Sequence, residues 1–244
     1  MNDVLFTVLD NALLARDVYR LRLQGDTGAI ARPGQFVNLK VEGCFLRRPI
    51  SVCDLEEDVL TLIYKVVGKG TATLSRLVKG ETIRALTGLG NGYDCAPAGE
   101  RPLLVGGGVG VPPLFLLAKK LRAADKAVCV CLGFGAKEDA FYLREFRELG
   151  CEVRLATLDG SLGHKGFVTE ILPERYDHFF ACGPEPMLQA VCAVTRTSGQ
   201  LSFEARMGCG FGACMGCSCQ TLTGSKRICR EGPVLRKEEL LWTR

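Results

Sequence analysis

The chain has two histidines and one tryptophan in 244 residues. His164 and His178 stand apart, with no metal-ligand spacing between them. There is no Ser/His/Asp arrangement and no pair of catalytic carboxylates, so hydrolytic chemistry has little support. Net charge is only +4 and no Lys/Arg run occurs, which leaves nucleic acid without an electrostatic footprint. The longest apolar run, Leu103 to Ala118, is broken by glycines and by Pro112 and Pro113, and is too short and interrupted to cross a bilayer. The first residues carry neither a basic n-region nor an apolar h-region, so no signal peptide is expected. Internal repeats and low-complexity segments are also missing. Neither nucleic acid nor membrane is therefore an expected partner.

Cysteine is what the chain has in excess: thirteen residues. Eight of them, Cys44, Cys53, Cys95, Cys129, Cys131, Cys151, Cys182 and Cys192, are scattered, mostly through apolar stretches. Buried cysteine behaves as a small hydrophobe, so these read as reduced core residues. That usage fits a reducing, cytoplasmic setting. The remainder gather near the C-terminus. Cys209, Cys214 and Cys217 have C-x4-C-x2-C spacing, and Cys229 follows from a separate segment. This is the ligand spacing of a plant-type [2Fe–2S] cluster. Glycines at 208, 210, 212 and 216 let such a loop wrap a small volume and bring N–H groups near sulfur. Three other readings compete. Disulfides in so short a loop would be strained. Structural zinc favours two paired-cysteine knuckles, whereas Cys229 stands alone. Buried free thiols rarely crowd so densely. Cys209, Cys214, Cys217 and Cys229 are taken as ligands, and Cys219 as a packed thiol.

Residues 1–97 read as closely spaced short strands, which suggests a small antiparallel barrel. The expected strands are Val4 to Leu9, Val18 to Leu23, Gln35 to Val41 and Val59 to Val67, with a helix from Thr71 to about Lys79. Two stretches have the chemistry of anion sites. Arg47-Arg48-Pro49-Ile50-Ser51 offers planar guanidinium forks and a hydroxyl on stiff extended chain, and reads equally as an exposed edge strand. Gly68-Lys-Gly70-Thr71 precedes the helix, where free N–H groups favour an anion, and reads equally as a capped turn.

From 98 to 200 strands alternate with helices, the signature of a parallel, doubly wound sheet. Ligands in such sheets bind beyond the C-terminal strand ends. Glycine-rich turns fall at those ends: Gly106 to Gly110, Asp159 to Gly163, and Cys182-Gly183-Pro184. The dinucleotide fingerprint is incomplete, because Val111 fills the third glycine place. Three such loops on one rim still favour a nucleotide. Glu138 and Asp139 read better as solvated helix-start carboxylates than as ribose ligands. The expected architecture is a β-barrel domain (1–97), an α/β doubly wound nucleotide-binding domain (98–200) and a small C-terminal [2Fe–2S] cysteine subdomain (201–244).

Several stretches together resemble the ferredoxin–NADP⁺ reductase superfamily. They are Arg48-Pro-Ile-Ser51, Ile63-Tyr-Lys65 with Gly70-Thr71, Gly88-Leu-Gly-Asn-Gly92, Gly106 to Leu114, and Cys182-Gly-Pro-Glu-Pro-Met187. With a cysteine loop preceded by Glu204-Ala-Arg-Met207, the resemblance narrows to the electron-transfer subunits of type B, NAD⁺-dependent dihydroorotate dehydrogenases. It implies FAD held by Arg48, Pro49, Ile50, Ser51, Ile63, Tyr64, Lys65, Gly70 and Thr71. It implies NAD near Gly107, Gly108, Val109, Gly110, Val111, Cys182, Gly183, Pro184 and Glu185. It also implies an FMN-containing catalytic partner that oxidises dihydroorotate, in a heterotetramer of two plus two. A related NADH-dependent ferredoxin–NADP⁺ oxidoreductase subunit is the alternative, although members of that group tend to carry aspartate where this chain has Cys209. A zinc-stabilised nucleotide sensor is a third reading, of a different class.

Overall fold

The computed structural model describes residues 1–243 of the chain. Its first half is a closed antiparallel barrel of six strands: β1 (Asn2–Ala15), β2 (Val18–Gln24), β3 (Phe36–Leu39), β4 (Arg48–Glu56), β5 (Val59–Lys65) and β6 (Thr82–Leu89). They follow one another around the barrel in the order β1-β2-β5-β4-β3-β6. Side chains alternate across a strand. The inward set, including Phe6, Val8, Leu21, Leu23, Leu39, Val52, Leu60 and Leu62, is fully buried. β4 and β6 escape a reading of pattern alone. β4 opens with an arginine and a proline, and no run of alternating hydrophobics marks its start.

The helix α1 spans Lys69–Leu74, shorter than expected. Its N-cap is Gly68, not Thr71. The Thr71 hydroxyl turns back, accepting from the Val67 and Gly68 N–H groups at 2.9 and 3.2 Å. Asn11 holds the far end, donating to Leu74 O and Leu77 O.

The second half is a seven-stranded sheet. Its strands are β7 (Pro102–Gly107), β8 (Cys129–Phe134), β9 (Glu152–Thr157), β10 (His164–Lys165), β11 (His178–Cys182) and β12 (Gly199–Ser202). Beyond the hairpin β13 (Ser218–Thr221) and β14 (Gly224–Arg227), the edge strand β15 (Val234–Arg236) completes it. The order is β10-β9-β8-β7-β11-β12-β15. All pairings are parallel except the last: β15 runs antiparallel to β12, with Ser202 opposite Val234. The expected purely parallel sheet thus gains an antiparallel edge from the C-terminal segment. α2 (Pro112–Ala123) and α3 (Leu143–Glu148) cover one face, and α4 (Glu185–Val194) covers the other. The two faces separate by strand parity: Leu104, Val130 and Phe180 point one way, and Leu103, Cys131 and Phe179 the other. The helix expected from Phe167 is only a short 3-10 turn, Val168–Ile171.

The halves are locked together. α2 packs on β4, and Lys119 Nζ bonds both Asp54 carboxylate oxygens at 2.9 and 3.1 Å. Burial raises the Asp54 pKa, partly offset by that ammonium. Arg16 reaches Glu138 and Asp139, which are therefore engaged at the domain boundary. The cysteine segment shares the sheet's second face. Cys217, Ile228 and Cys229 are buried in the same apolar cluster as Phe179 and Leu201. Among the described residues no helix is long and apolar enough to cross a membrane.

Candidate functional site: a cleft where three segments meet

A cleft of about 470 Å³ lies where barrel, sheet and cysteine segment converge. The barrel contributes Arg48, Pro49, Ile50 and Ser51 from β4, and Ile63, Tyr64 and Lys65 from β5. Thr71 of α1 and Val109 of the first glycine loop also line it. Every FAD residue expected from the sequence except Gly70 therefore faces one volume. Its size suits a drug-sized or cofactor-sized ligand.

The two arginines of the Arg47-Arg48 pair have different employment. Arg47 is paired with Asp3 at 3.6 Å. Among the described residues Arg48 bonds backbone carbonyls, Leu46 O at 2.5 Å and Arg47 O at 3.4 Å, and forms no ion pair with a carboxylate. A half-buried guanidinium without a counter-ion is suited to a phosphate. Gly70 explains itself here: a β-carbon at that position would collide with the Arg48 guanidinium. With no side chain there, the Arg48 guanidinium packs directly on the helix start. Tyr64 is fixed as a face. Its hydroxyl donates to Asn11 Oδ1 at 3.1 Å, and its ring stacks on Tyr19. Burial pushes its pKa up, against the Asn11 bond, so the phenol stays neutral. The barrel residues fit a flavin with a pyrophosphate tail.

The glycine loop after β7 is built for contact on one side and openness on the other. A β-carbon at Gly107 would run into Met187, and one at Gly110 into the Cys182 carbonyl. The loops Gly107–Val111 and Cys182–Glu185 are thereby pressed together. Gly108 has positive φ and open space around it. Burial pushes the Cys182 thiol up to about 12, which makes it a packed group and not a nucleophile. His164 bonds Glu170 on the exposed surface. His178 is buried, and burial lowers its pKa. Neither histidine lines the cleft.

All thirteen cysteines are free thiols. Cys44 and Cys95 are only half-buried; the other six scattered ones are buried as expected. In the cysteine loop, Cys209 Sγ accepts N–H groups from Ala213 and Cys214 at 3.2 and 3.4 Å. Burial works to raise its pKa, but these backbone donors and Cys214 hold it down to about 6. Cys217 Sγ accepts from Cys229 N at 3.4 Å. Burial, reinforced by Cys217, pushes the Cys229 thiol up to about 12. The four thiols thus form two neighbouring pairs. Among the described residues, no group of three or more His, Cys, Asp or Glu side chains converges as a ready-made metal cage. The donor set nevertheless suits iron and sulfide: thiolate-stabilising N–H groups are in place, and Gly208 and Gly216 lie beside Cys214 Sγ. Arg227 ties the loop to the closing segment, donating to Gly212 O at 2.9 Å while paired with Glu231. Cys219 sits on β13 opposite Lys226, half-buried against the sheet-face core. Cys219→Ser is therefore expected to keep full iron content by colorimetric assay; loss of iron would mean that the ligand set includes it.

The sequence reading gave no role to four contributors. The stretch Phe203 to Met207 forms a wall of the cleft, as do Phe36 and Pro233. Asn91, inside the glycine-rich stretch quoted above, exchanges bonds with Val234, donating to its O at 2.7 Å and accepting from its N at 3.1 Å. It also donates to Glu231 O at 3.0 Å, clamping the exit of the cysteine segment. Partners so far apart along the chain leave no local signal, although the unusual glycine spacing around Asn91 was visible.

A cleft on an antiparallel barrel, walled by the glycine loop of a nucleotide-type sheet, is the architecture of the ferredoxin–NADP⁺ reductase superfamily. Comparison with known proteins carries this further. The model of the iron–sulfur cluster binding domain of dihydroorotate dehydrogenase B matches residues 204–241. The electron transfer subunit of dihydroorotate dehydrogenase B (NAD⁺) from Geobacillus sp. (strain WCH70) is 45% identical over 250 residues, 96% of this chain and 97% of that one. Its counterpart from Fusobacterium nucleatum is 39% identical over 245 residues, 93% and 94% of the two chains. Among solved structures, an NADH-dependent reduced ferredoxin–NADP oxidoreductase is 31% identical with a TM-score of 0.88, over 97% of this chain and 90% of that one. The chain belongs to the family of dihydroorotate dehydrogenase B (NAD⁺) electron transfer subunits.

Proposed function

We propose that this oxidoreductase subunit takes electrons from an FMN-containing partner that oxidises dihydroorotate to orotate, and delivers them to NAD⁺. In this reading residues 1–97 hold FAD, 98–200 hold NAD, and 201–244 hold a [2Fe–2S] cluster on Cys209, Cys214, Cys217 and Cys229. The partner assembly is a heterotetramer of two plus two. The observation that carries the reading is the single cleft lined by Arg48 to Ser51, by Val109 and by Phe203 to Met207. A flavin can exchange one or two electrons, which suits a place between a one-electron carrier and a hydride acceptor. The protein's own part is positional. Arg48, seated on Gly70 at the start of α1, receives the pyrophosphate. Tyr64, with its hydroxyl already used, offers an aromatic face. The glycine loop brings the nicotinamide side to the same cleft through Val109. The NAD residues beside Cys182 stand at the C-terminal ends of β7 and β11, where the sheet reverses its strand order.

The high structural similarity to the NADH-dependent ferredoxin–NADP oxidoreductase keeps a second reading in view, a ferredoxin-linked subunit. The cysteine at position 209 favours the first, since it supplies a fourth thiolate. Co-expression with an FMN-bearing dihydroorotate dehydrogenase subunit tests the choice. The expected result is co-purification of both chains and dihydroorotate-dependent NAD⁺ reduction by the pair. Electron exchange with ferredoxin and NADP⁺, without any dihydroorotate-dependent activity, would favour the second reading instead.

A further inference from the structure

One buried residue joins the cysteine loop, through its side chain, to a strand paired with the rim of the flavin cleft. Asn38 lies on β3 and is 1% exposed. Its Nδ2 donates to Cys209 O at 3.1 Å. Its backbone sits in register with Pro49, which lines the flavin cleft. The next loop residue, Gly210, has φ +80, and a β-carbon there would collide with the Asn38 amide. The loop is thus seated directly on this side chain. The other half of the amide, Oδ1, is buried and has no hydrogen-bond partner among the described residues. A buried acceptor left unpaired is destabilising, and a leucine of similar shape would avoid that cost. Leucine lacks only the donor to Cys209 O.

We infer that Asn38 is a positioning residue, which fixes the cysteine loop against the flavin side of the barrel and so sets the spacing that electrons cross. This rests on the function proposed above. Arg47 steadies the same point, since its guanidinium donates to Asn38 O at 3.4 Å. The chain therefore has one short connection from the β4 rim of the cleft, through β3, to the first cysteine.

The test uses Asn38→Leu in the purified, cofactor-loaded chain. Asn38→Ala removes the same donor without added bulk, and answers the question if leucine disturbs the barrel. On mixing with NADH, two electrons enter the bound FAD as a hydride, and one then passes to the cluster. Stopped-flow flavin absorbance follows the first stage, and freeze-quench EPR follows the second. Expected are wild-type iron content, unchanged melting temperature for the leucine variant, and an unchanged flavin stage. The second stage should slow by roughly ten- to a hundredfold, the scale of a small misplacement of reacting groups. The EPR line shape should also broaden as the loop loses its fixed seat. Wild-type timing and line shape in both variants would overturn the role of Asn38 while leaving the proposed function standing. Parallel slowing of both stages, or loss of iron, would show a merely structural role and overturn it too. A wild-type chain that binds no cluster would instead remove the function on which the inference rests.

Discussion

Cys214→Ser is expected to yield a folded, FAD-binding chain with no iron–sulfur signal. The expectation rests on where Cys214 sits. Its side chain is exposed at the tip of the loop and takes no part in the core, so its loss creates no cavity. Serine offers a harder oxygen in place of a soft thiolate, a poor exchange for iron–sulfur chemistry. Changes outside the ligand set of a metal already cost about 10–100-fold in affinity or activity, and removing a ligand should exceed that. Dihydroorotate-dependent NAD⁺ reduction by the two-subunit assembly should therefore fall by more than about 100-fold. NADH oxidation with an artificial acceptor that draws directly on the flavin should persist. Cys229→Ser makes a useful contrast. Cys229 is 2% exposed and packed among apolar side chains, so that variant should lose thermal stability together with iron. A full cluster spectrum in purified Cys214→Ser would show that the ligand assignment is wrong.

The second large effect belongs to Arg48→Ala. Arg48 is the cation of its pair that has no carboxylate partner among the described residues, and its guanidinium packs directly on Gly70. A charge-assisted hydrogen bond contributes about 1.5–3 kcal/mol. Losing the guanidinium should then weaken FAD binding by about 10- to 100-fold, read by fluorescence titration of the flavin-free chain. Arg48→Lys should recover only part of the affinity, because an ammonium cannot reproduce the planar fork. Arg47→Ala should matter far less for FAD, since that side chain is spent on Asp3 and the Asn38 carbonyl. Equal losses from both alanine variants would count against the assignment of the phosphate to Arg48.

The contrast between these arginines shows what the sequence could and could not disclose. Local chemistry was legible. The cysteine spacing, the glycines at strand ends and the prolines opening α2 each follow from constraints acting over a few residues. The strand–helix alternation of the second half was equally plain, because burial on both faces imposes continuous apolar strands. Which of two adjacent arginines is free depended on Asp3, far away in the chain. The antiparallel strand β15 and the clamp by Asn91 were hidden for the same reason. The shortened α1 follows from tertiary override: Asn11 takes up the Leu74 and Leu77 carbonyls, so the helix need not continue to satisfy them. The wall formed by Phe203 to Met207 has no periodicity, so its place beside the flavin residues emerges only once the chain has folded.

The pairing of Ser202 with Val234 has a consequence for how such a chain can be assembled and varied. Everything between those residues, including all four proposed ligands, leaves and re-enters the sheet at neighbouring points. The segment is topologically a long excursion within one hairpin. Closing a loop costs only slowly more as it lengthens, so the hairpin tolerates an insertion of this size without demanding that the sheet be redesigned. The cysteine segment is in that sense an insertion between two paired strands, yet one that the sheet has absorbed, since Cys217, Ile228 and Cys229 complete the apolar face around Phe179 and Leu201.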